Sequence, residues 1–117
     1  MVYFTGKQLK RFRCALLGLR SALFKDRSFQ IQVLLIGPLL GLFIYFYWPL
    51  SDIELMALVF GWCLLLITEL QNSSFEQALD HLHPNQHNKI GASKDMAAGS
   101  VLLAFFFLLF VLLLIVF

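Results

Sequence analysis

Long runs of apolar residues dominate this sequence of 117 residues and leave it few ways to fold. From Met96 to Phe117 there is hardly a polar side chain, and the stretch from Leu55 to Thr68 contains no Asp, Glu, Lys or Arg. About 20 such residues are enough for a helix to cross the hydrocarbon core of a membrane. Hydrophobic residues make up 60% of the chain and charged residues 14%, a balance typical of membrane proteins. The sequence therefore predicts an all-α integral membrane protein with a single domain.

Three apolar segments are predicted to span the membrane. The first covers about 30–50, the second about 53–83 and the third about 94–117. The second is expected to continue beyond the bilayer as a polar extension, and a proline should end it there. The remaining stretch, 84–93, is predicted to be a loop. Gly37-Pro38 lies inside the first span and should kink or locally loosen that helix.

The N-terminal segment, about 4–27, is predicted to form an amphipathic helix at the membrane interface. Its large apolar side chains fall on one stripe, and several of its basic residues gather on the opposite side. Most of the Lys and Arg residues of the chain lie in this segment: Lys7, Lys10, Arg11, Arg13, Arg20, Lys25 and Arg27. Beside long apolar segments, such a cluster indicates anionic lipid headgroups and not nucleic acid.

The distribution of basic residues also predicts an orientation. Lys and Arg flank the start of the first span, and Lys89 and Lys94 lie between the second and third. The positive-inside rule places the N-terminus and the 84–93 loop in the cytoplasm and the C-terminus on the outer side.

Cysteine and histidine residues do not indicate a metal centre. Cys14 and Cys63 show neither metal-ligand spacing nor a disulfide framework. His83 and His87 are four positions apart, but Pro84 between them makes a continuous helix through both unfavourable. We therefore do not expect a zinc site.

A stripe of polar residues begins where the second apolar run ends. Glu69, Asn72, Glu76 and Asp80 follow the spacing i, i+3, i+7, i+11, which places them on one face of a helix. Glu69 should lie near headgroup depth, where a carboxylate can serve as a general base. Glu76 or Asp80, paired with Asp26, offers the oxygen ligands that Mg²⁺ prefers.

The pair Lys94-Asp95 opens the third span. An acid at a helix start complements the helix dipole, whereas a lysine opposes it unless an anion such as phosphate lies beside it. The chain has neither a Walker motif nor a protein-kinase signature. The residues alone leave several hypotheses open: an enzyme acting on phosphate at the membrane boundary, a small oligomeric proton-coupled transporter that uses Glu69, and an inert membrane assembly subunit.

The same residues carry a resemblance to a known family. The run from Glu69 to Glu76 (ELQNSSFE), followed by Asp80, His87, Gly91 and the run ASKDMAAG over 92–99, resembles the signature of the prokaryotic diacylglycerol kinase family. These are small integral membrane lipid kinases, and the resemblance covers nearly the whole chain. Ser93 departs from the usual alanine before the Lys-Asp pair. The resemblance implies a homotrimer in the bacterial cytoplasmic (inner) membrane, with three spans and one amphipathic helix per protomer and with sites between protomers at the cytoplasmic boundary.

The resemblance also implies roles for individual residues. Glu69 would be the catalytic base that takes the proton from the lipid hydroxyl. Asp26 and Glu76 would hold Mg²⁺ with ATP, although Asp26 is one methylene shorter than the glutamate usual in the family. Asn72 and the Lys94-Asp95 pair would position the nucleotide phosphates and organise the site.

Further contacts follow from the resemblance. The nucleotide would also meet Lys7, Cys14, Asn85, Gln86 and His87, with Cys14 standing where the family commonly has tyrosine. The lipid would meet Arg20, Glu69 and Ala98. The implied reaction transfers the γ-phosphoryl group of ATP to diacylglycerol and gives phosphatidic acid. The segment from Asp26 to Ile31 is also similar to members that phosphorylate undecaprenol, so both lipids stay open. Asp80 receives no role.

Overall fold

The computed structural model of the chain describes residues 6–85 and 88–117, and these residues are helical apart from short connections. The elements in chain order are α1 (Gly6–Lys25), α2 (Arg27–Ile31), a π-helical segment (Gln32–Ile36), α3 (Gly37–Phe46), α4 (Asp52–Leu82) and α5 (Asn88–Val116). The predicted all-α class is confirmed for the described residues.

Three helices are long and apolar enough to cross a membrane. They are Arg27–Phe46, which joins α2, the π-helical segment and α3, and the two long helices Asp52–Leu82 and Asn88–Val116. The prediction of three long apolar helices is therefore confirmed. Helix α1 is also present, and all but two of its residues are exposed. Its predicted location at the membrane interface stays a prediction.

Helices α4 and α5 form an antiparallel pair. The rings of Phe60 and Phe107 meet edge to face, with their centroids 5.7 Å apart. Nearer the connection between the helices, Lys94 Nζ lies 2.7 Å from Asp80 Oδ1. As the residue number on α4 falls, that of its partner on α5 rises, as an antiparallel pair requires. Gly61 allows close contact, because a Cβ there would lie 3.0 Å from Leu108 Cδ1.

The core of the described chain is small. Leu58 is fully buried, and the other members of the buried apolar cluster are Leu40, Leu65, Ala104, Leu108 and Val111. Many other large apolar side chains are exposed, including several phenylalanines of α5. Lipid tails are as apolar as leucine, so a membrane can cover such a surface without an internal core. The fold thus matches an integral membrane protein.

The first span contains the predicted loosening. The N–H of Gly37 bonds to the carbonyl of Gln32, five residues earlier, and closes the π-helical segment. Pro38 follows and has no N–H to donate, and its ring would clash with the carbonyl four residues before it in a regular helix. A wider turn ahead of the proline removes this conflict. The loosening predicted at Gly37-Pro38 is therefore a π-helical segment that ends there.

Some boundaries differ from those expected. The loop expected over 84–93 is shorter, because α5 already begins at Asn88 and Ser93 Oγ donates to Lys89 O at 3.0 Å within the helix. The helix expected over 4–27 ends at Lys25, since Asp26 leaves the helical conformation and caps α2. The first span ends at Phe46, not near residue 50. Ser51 begins α4 through a capping box with Glu54.

Candidate functional site

A buried carboxylate lies at the centre of the polar end, the region where the C-terminal half of α4 meets the α1–α2 junction. Glu69 is 6% exposed and is the one buried charged residue in the described part of the chain. It lies on the face of α4 that also buries Leu58 and Leu65, which are eleven and four positions earlier. Gln32 Nε2 donates a hydrogen bond of 3.0 Å to Glu69 Oε2. A buried charge is costly unless it is hydrogen-bonded, and Gln32 supplies such a bond.

A second carboxylate approaches Glu69 from the α1–α2 junction. Asp26 accepts hydrogen bonds from the backbone N–H groups of Ser28 at 3.2 Å and Phe29 at 3.5 Å, so it is fixed as the N-cap of α2. Its charge and that of Glu76 both act on the Glu69 carboxylate. The polar end therefore concentrates negative charge around one buried group.

Several acceptor atoms at the polar end lack a partner. Asp26 Oδ2, Gln32 Oε1 and Asn72 Oδ1 are buried and make no hydrogen bond within the described chain. Leaving a buried polar atom unsatisfied costs about 1–3 kcal/mol. Three such acceptors beside a buried carboxylate leave this region able to accept a hydrogen-bond donor or a cation.

The residues present fit a hard cation such as Mg²⁺. Asp26 presents an unpartnered carboxylate oxygen, and Glu76 is exposed on α4. Among the described residues, no three His, Cys, Asp or Glu side chains converge on one point. Mg²⁺ commonly binds through one or two carboxylates together with substrate phosphates and water. Asp26 and Glu76 are therefore the residues that could hold such a cation.

A cleft of about 610 Å³ opens between the end of α4 and the start of α5. Its lining includes Asp80, His83, Asn85, Lys94 and Asp95. This volume lies in the range of roughly 300–1,000 Å³ that is usual for small-molecule sites. Lys94 forms an ion pair with Asp80 there. The cleft thus combines one cation with amide and imidazole groups and the carboxylates of Asp80 and Asp95, and a charged donor such as Lys94 can hydrogen-bond to a phosphate oxygen.

The structure brings most of the predicted site residues into two groups. Glu69 and Asn72 lie one turn apart on α4, with Asp26 and Glu76 nearby, and Asn85, Lys94 and Asp95 line the cleft. The other predicted residues lie outside these groups: Lys7 and Cys14 are exposed on the first half of α1, Arg20 stacks on the Phe24 ring at 5.9 Å, and Ala98 is exposed on α5. The predicted contacts of Gln86 and His87 fall outside the described residues. The predicted roles of all these residues stay predictions.

Sequence reasoning missed two features of the site. Gln32 lies in the first predicted span but was given no role, and the partner of Asp80 was not identified. The available signal was the position of Gln32 in an apolar run, because polar residues within membrane spans usually face the bundle interior and mark functional sites. For Asp80, the fourteen-residue separation from Lys94 gave no local cue.

Fold and site together define a three-span α-helical membrane protein with a carboxylate-centred polar end. The family model described as prokaryotic diacylglycerol kinase matches residues 13–116, and the chain belongs to this family. It is 29% identical over 87 residues to the diacylglycerol kinase of Escherichia coli (strain K12), an overlap covering 74% of this chain and 70% of that protein. It is also 29% identical over 90 residues to the diacylglycerol kinase of Haemophilus influenzae, covering 77% of this chain and 75% of that protein. Family membership favours the kinase hypothesis over a transporter or an inert subunit.

Proposed function

We propose that this protein is an ATP-dependent lipid kinase that phosphorylates diacylglycerol to phosphatidic acid. The observation that carries the proposal is the buried Glu69 carboxylate, held by Gln32 and flanked by unpartnered acceptors. It lies where a long apolar run ends, so a lipid hydroxyl at headgroup depth can reach it from the membrane. The cleft at Lys94 opens on the same end of the bundle, where a soluble nucleotide can enter.

Glu69 acts as the general base in the proposed reaction. Its carboxylate accepts the proton of the lipid hydroxyl while the hydroxyl oxygen forms a bond to the γ-phosphorus of ATP. The bond between the γ-phosphorus and the bridging β–γ oxygen breaks, and ADP leaves with that oxygen. Glu69 then releases the proton to water. Phosphoryl transfer depends mainly on positioning and on charge stabilisation, and a positioned base contributes about 10²–10⁴-fold.

The cleft residues bind and orient the nucleotide. Lys94 supplies a positive charge for the phosphates, and Asp95 and Asn72 organise the site around them. Asn85, Gln86 and His87 lie against the nucleotide, together with Lys7 and Cys14 of α1. Arg20 and Ala98 contact the lipid. The support for these assignments is the matching motif together with the cleft that contains Asn85, Lys94 and Asp95.

Mg²⁺ is the proposed metal cofactor, with Asp26 and Glu76 as its protein ligands. When bound, it neutralises charge on the nucleotide phosphates. The unpartnered Asp26 oxygen supports this assignment. Asp26 keeps the required charge although it is one methylene shorter than glutamate.

We further propose a homotrimer in the bacterial cytoplasmic membrane. A single protomer leaves acceptors at the polar end unsatisfied and much apolar surface exposed, which is consistent with sites completed between protomers. In the proposed orientation the N-terminus and the polar end face the cytoplasm, where ATP is available, and the C-terminus lies on the outer side. Helix α1 lies along the interface with its apolar stripe in the lipid.

The test is a kinase assay with purified protein in detergent micelles. Mg²⁺-ATP is supplied with either diacylglycerol or undecaprenol, and the phosphorylated lipid is measured. We expect phosphatidic acid from diacylglycerol, and near-complete loss of product with Glu69→Gln. Glu54→Gln is the matched control, since Gln at this position can also form a capping box. Activity on undecaprenol alone would replace the lipid assignment, and no activity on either lipid would refute the kinase proposal.

A further inference from the structure

We infer that Gln32 is a positioning residue for Glu69, and that Trp62 and the π-helical segment hold Gln32 in the required position. The inference deepens the proposed function, since it rests on Glu69 as the base. Trp62 and Glu69, both on α4, each form a hydrogen bond with Gln32 of the first span.

The side chain of Gln32 contacts the base directly. Its Nε2 donates to Glu69 Oε2 at 3.0 Å, across 37 positions of sequence. A carboxylate has two oxygens, each with acceptor capacity, so the bond fixes the orientation of the group and still leaves it able to accept a substrate proton. The long side chain of a glutamate otherwise samples several rotamers, and misplacement of a catalytic group by about 1 Å can cost 10²-fold in rate.

The backbone of Gln32 is anchored on the same helix that carries the base. Trp62 Nε1 donates to Gln32 O at 3.3 Å, and Trp62 lies seven positions, about two turns, before Glu69 on α4. Helix α4 therefore holds Gln32 at two points, its carbonyl through Trp62 and its side chain through Glu69. Neither contact would survive a rotation of the first span about its axis.

The local backbone is shaped to permit this anchoring. The carbonyl of Gln32 also accepts the N–H of Gly37, which closes the π-helical segment. A Cβ at Gly37 would lie 3.0 Å from Trp62 Cζ2, so glycine leaves space for the indole to reach the carbonyl. Single π-helical turns within α-helices occur frequently at functional sites. Here the π-helical turn places the backbone carbonyl of Gln32 against Trp62 and the side-chain amide of Gln32 against Glu69.

A purely structural role makes a different prediction. If Gln32 only joined two spans, as interhelical hydrogen bonds in membranes do, its replacement would change stability and leave turnover per folded enzyme intact. If Gln32 positions the base, its replacement lowers kcat and leaves KM for ATP nearly unchanged, because the nucleotide cleft is formed by other residues.

The experiment compares full-length variants in micelles with Mg²⁺-ATP and diacylglycerol, or undecaprenol if wild type prefers it. Gln32→Met keeps the length of the side chain and removes the donor. We expect kcat to fall roughly ten- to hundredfold with KM for ATP within about twofold of wild type. Trp62→Phe removes the indole donor and keeps an aromatic ring, and we expect a smaller fall in kcat. Gln71→Met is the matched control on the exposed face of α4 and should behave as wild type.

A double-mutant cycle with Glu69→Asp tests whether Gln32 acts through the base. The shorter carboxylate cannot reach Gln32 in the same way, so Gln32→Met should have little further effect on the residual kcat of Glu69→Asp. Additive effects of the two substitutions on kcat, or an unchanged kcat in Gln32→Met, overturn the inference. The proposed function still holds in either case if the wild-type protein phosphorylates a lipid. If Gln32→Met fails to fold, an unchanged kcat in Trp62→Phe overturns it instead. Wild type without activity on either lipid defeats the proposed function itself.

Discussion

Lys94 Nζ and Asp80 Oδ1 lie 2.7 Å apart and join the start of α5 to the end of α4. The two side chains are 34% and 64% exposed, and exposed ion pairs contribute about 0–1 kcal/mol to stability. The ion pair therefore matters little for holding the helices together. It does give Asp80 a partner, and that partner is the lysine proposed to bind nucleotide phosphates.

The ion pair yields a comparison of two variants. Lys94→Met should raise KM for ATP or lower kcat by at least tenfold, because a hydrogen-bonded charge is worth about 1.5–3 kcal/mol. Asp80→Asn should change the same constants by less than about threefold and lower the free energy of unfolding by less than about 1 kcal/mol. Steady-state kinetics and unfolding in micelles measure both. If Asp80→Asn were as damaging as Lys94→Met, the task of Lys94 would be the ion pair and not the phosphate.

Removal of either proposed metal ligand should raise the Mg²⁺ requirement. Asp26→Asn keeps an N-cap for α2, since asparagine caps as well as aspartate, but it removes the charge. Glu76→Gln removes the second charge on an exposed part of α4. We expect each variant to need about tenfold more Mg²⁺ for half-maximal activity, because hard cations bind through carboxylate oxygens.

The matched control for this titration is Asp52→Asn, which changes an acid at the opposite end of α4. Its Mg²⁺ dependence should equal that of wild type. Unchanged Mg²⁺ titrations in both Asp26→Asn and Glu76→Gln would show that the metal is held elsewhere.

The contact between α4 and α5 at Gly61 should not tolerate a larger side chain. A Cβ at this position lies 3.0 Å from Leu108 Cδ1 and 3.4 Å from Leu108 Cα. Leu108 Cα belongs to the backbone of α5, so it can move away only if the two helices separate. We expect Gly61→Val to lower the free energy of unfolding by about 1–3 kcal/mol. Gly41→Val introduces the same residue where nothing lies within 4 Å of the added Cβ. Equal losses in the two variants would mean that valine's helix propensity, not the contact, is responsible.

The capping box at the start of α4 should contribute measurably to stability. Ser51 Oγ accepts from the N–H of Glu54 at 3.2 Å, and Glu54 Oε1 accepts from the N–H of Ser51 at 3.1 Å. Ser51→Ala removes the first of these bonds and should lower the free energy of unfolding by about 0.5–2 kcal/mol. Ser51→Asp restores an acceptor and should recover most of the loss. Kinase activity per folded enzyme should stay at the wild-type level in both variants, since the cap lies far from Glu69.

The long helices were predictable from the sequence because their signal is local. Apolar runs of sufficient length determine the three long apolar helices whatever their neighbours do. The start of α5 was placed too late. The segment from Lys89 to Ser93 (KIGAS) contains a glycine and no long apolar run, so it was interpreted as loop, yet it forms the first turns of α5.

The candidate site was only partly predictable for the opposite reason. The spacing of Glu69, Asn72 and Glu76 is a property of one helix and can be read directly. The hydrogen bond from Gln32 to Glu69 joins positions 37 apart, and no periodicity within either span reveals which residues of two different helices meet. The π-helical segment adds a further shift of register that a uniform helical spacing cannot represent.

The position of Glu69 along α4 has a consequence for the choice of lipid bilayer. Asp52 and Glu69 are separated by about 26 Å along the helix at roughly 1.5 Å per residue, against a hydrocarbon core about 30 Å thick. A bilayer of short acyl chains therefore leaves the carboxylate among hydrated headgroups, and one of long chains draws it into hydrocarbon or forces the helix to adjust. Acyl-chain length then becomes a control on the proposed chemistry, because it sets the depth at which the proposed base would meet a lipid substrate.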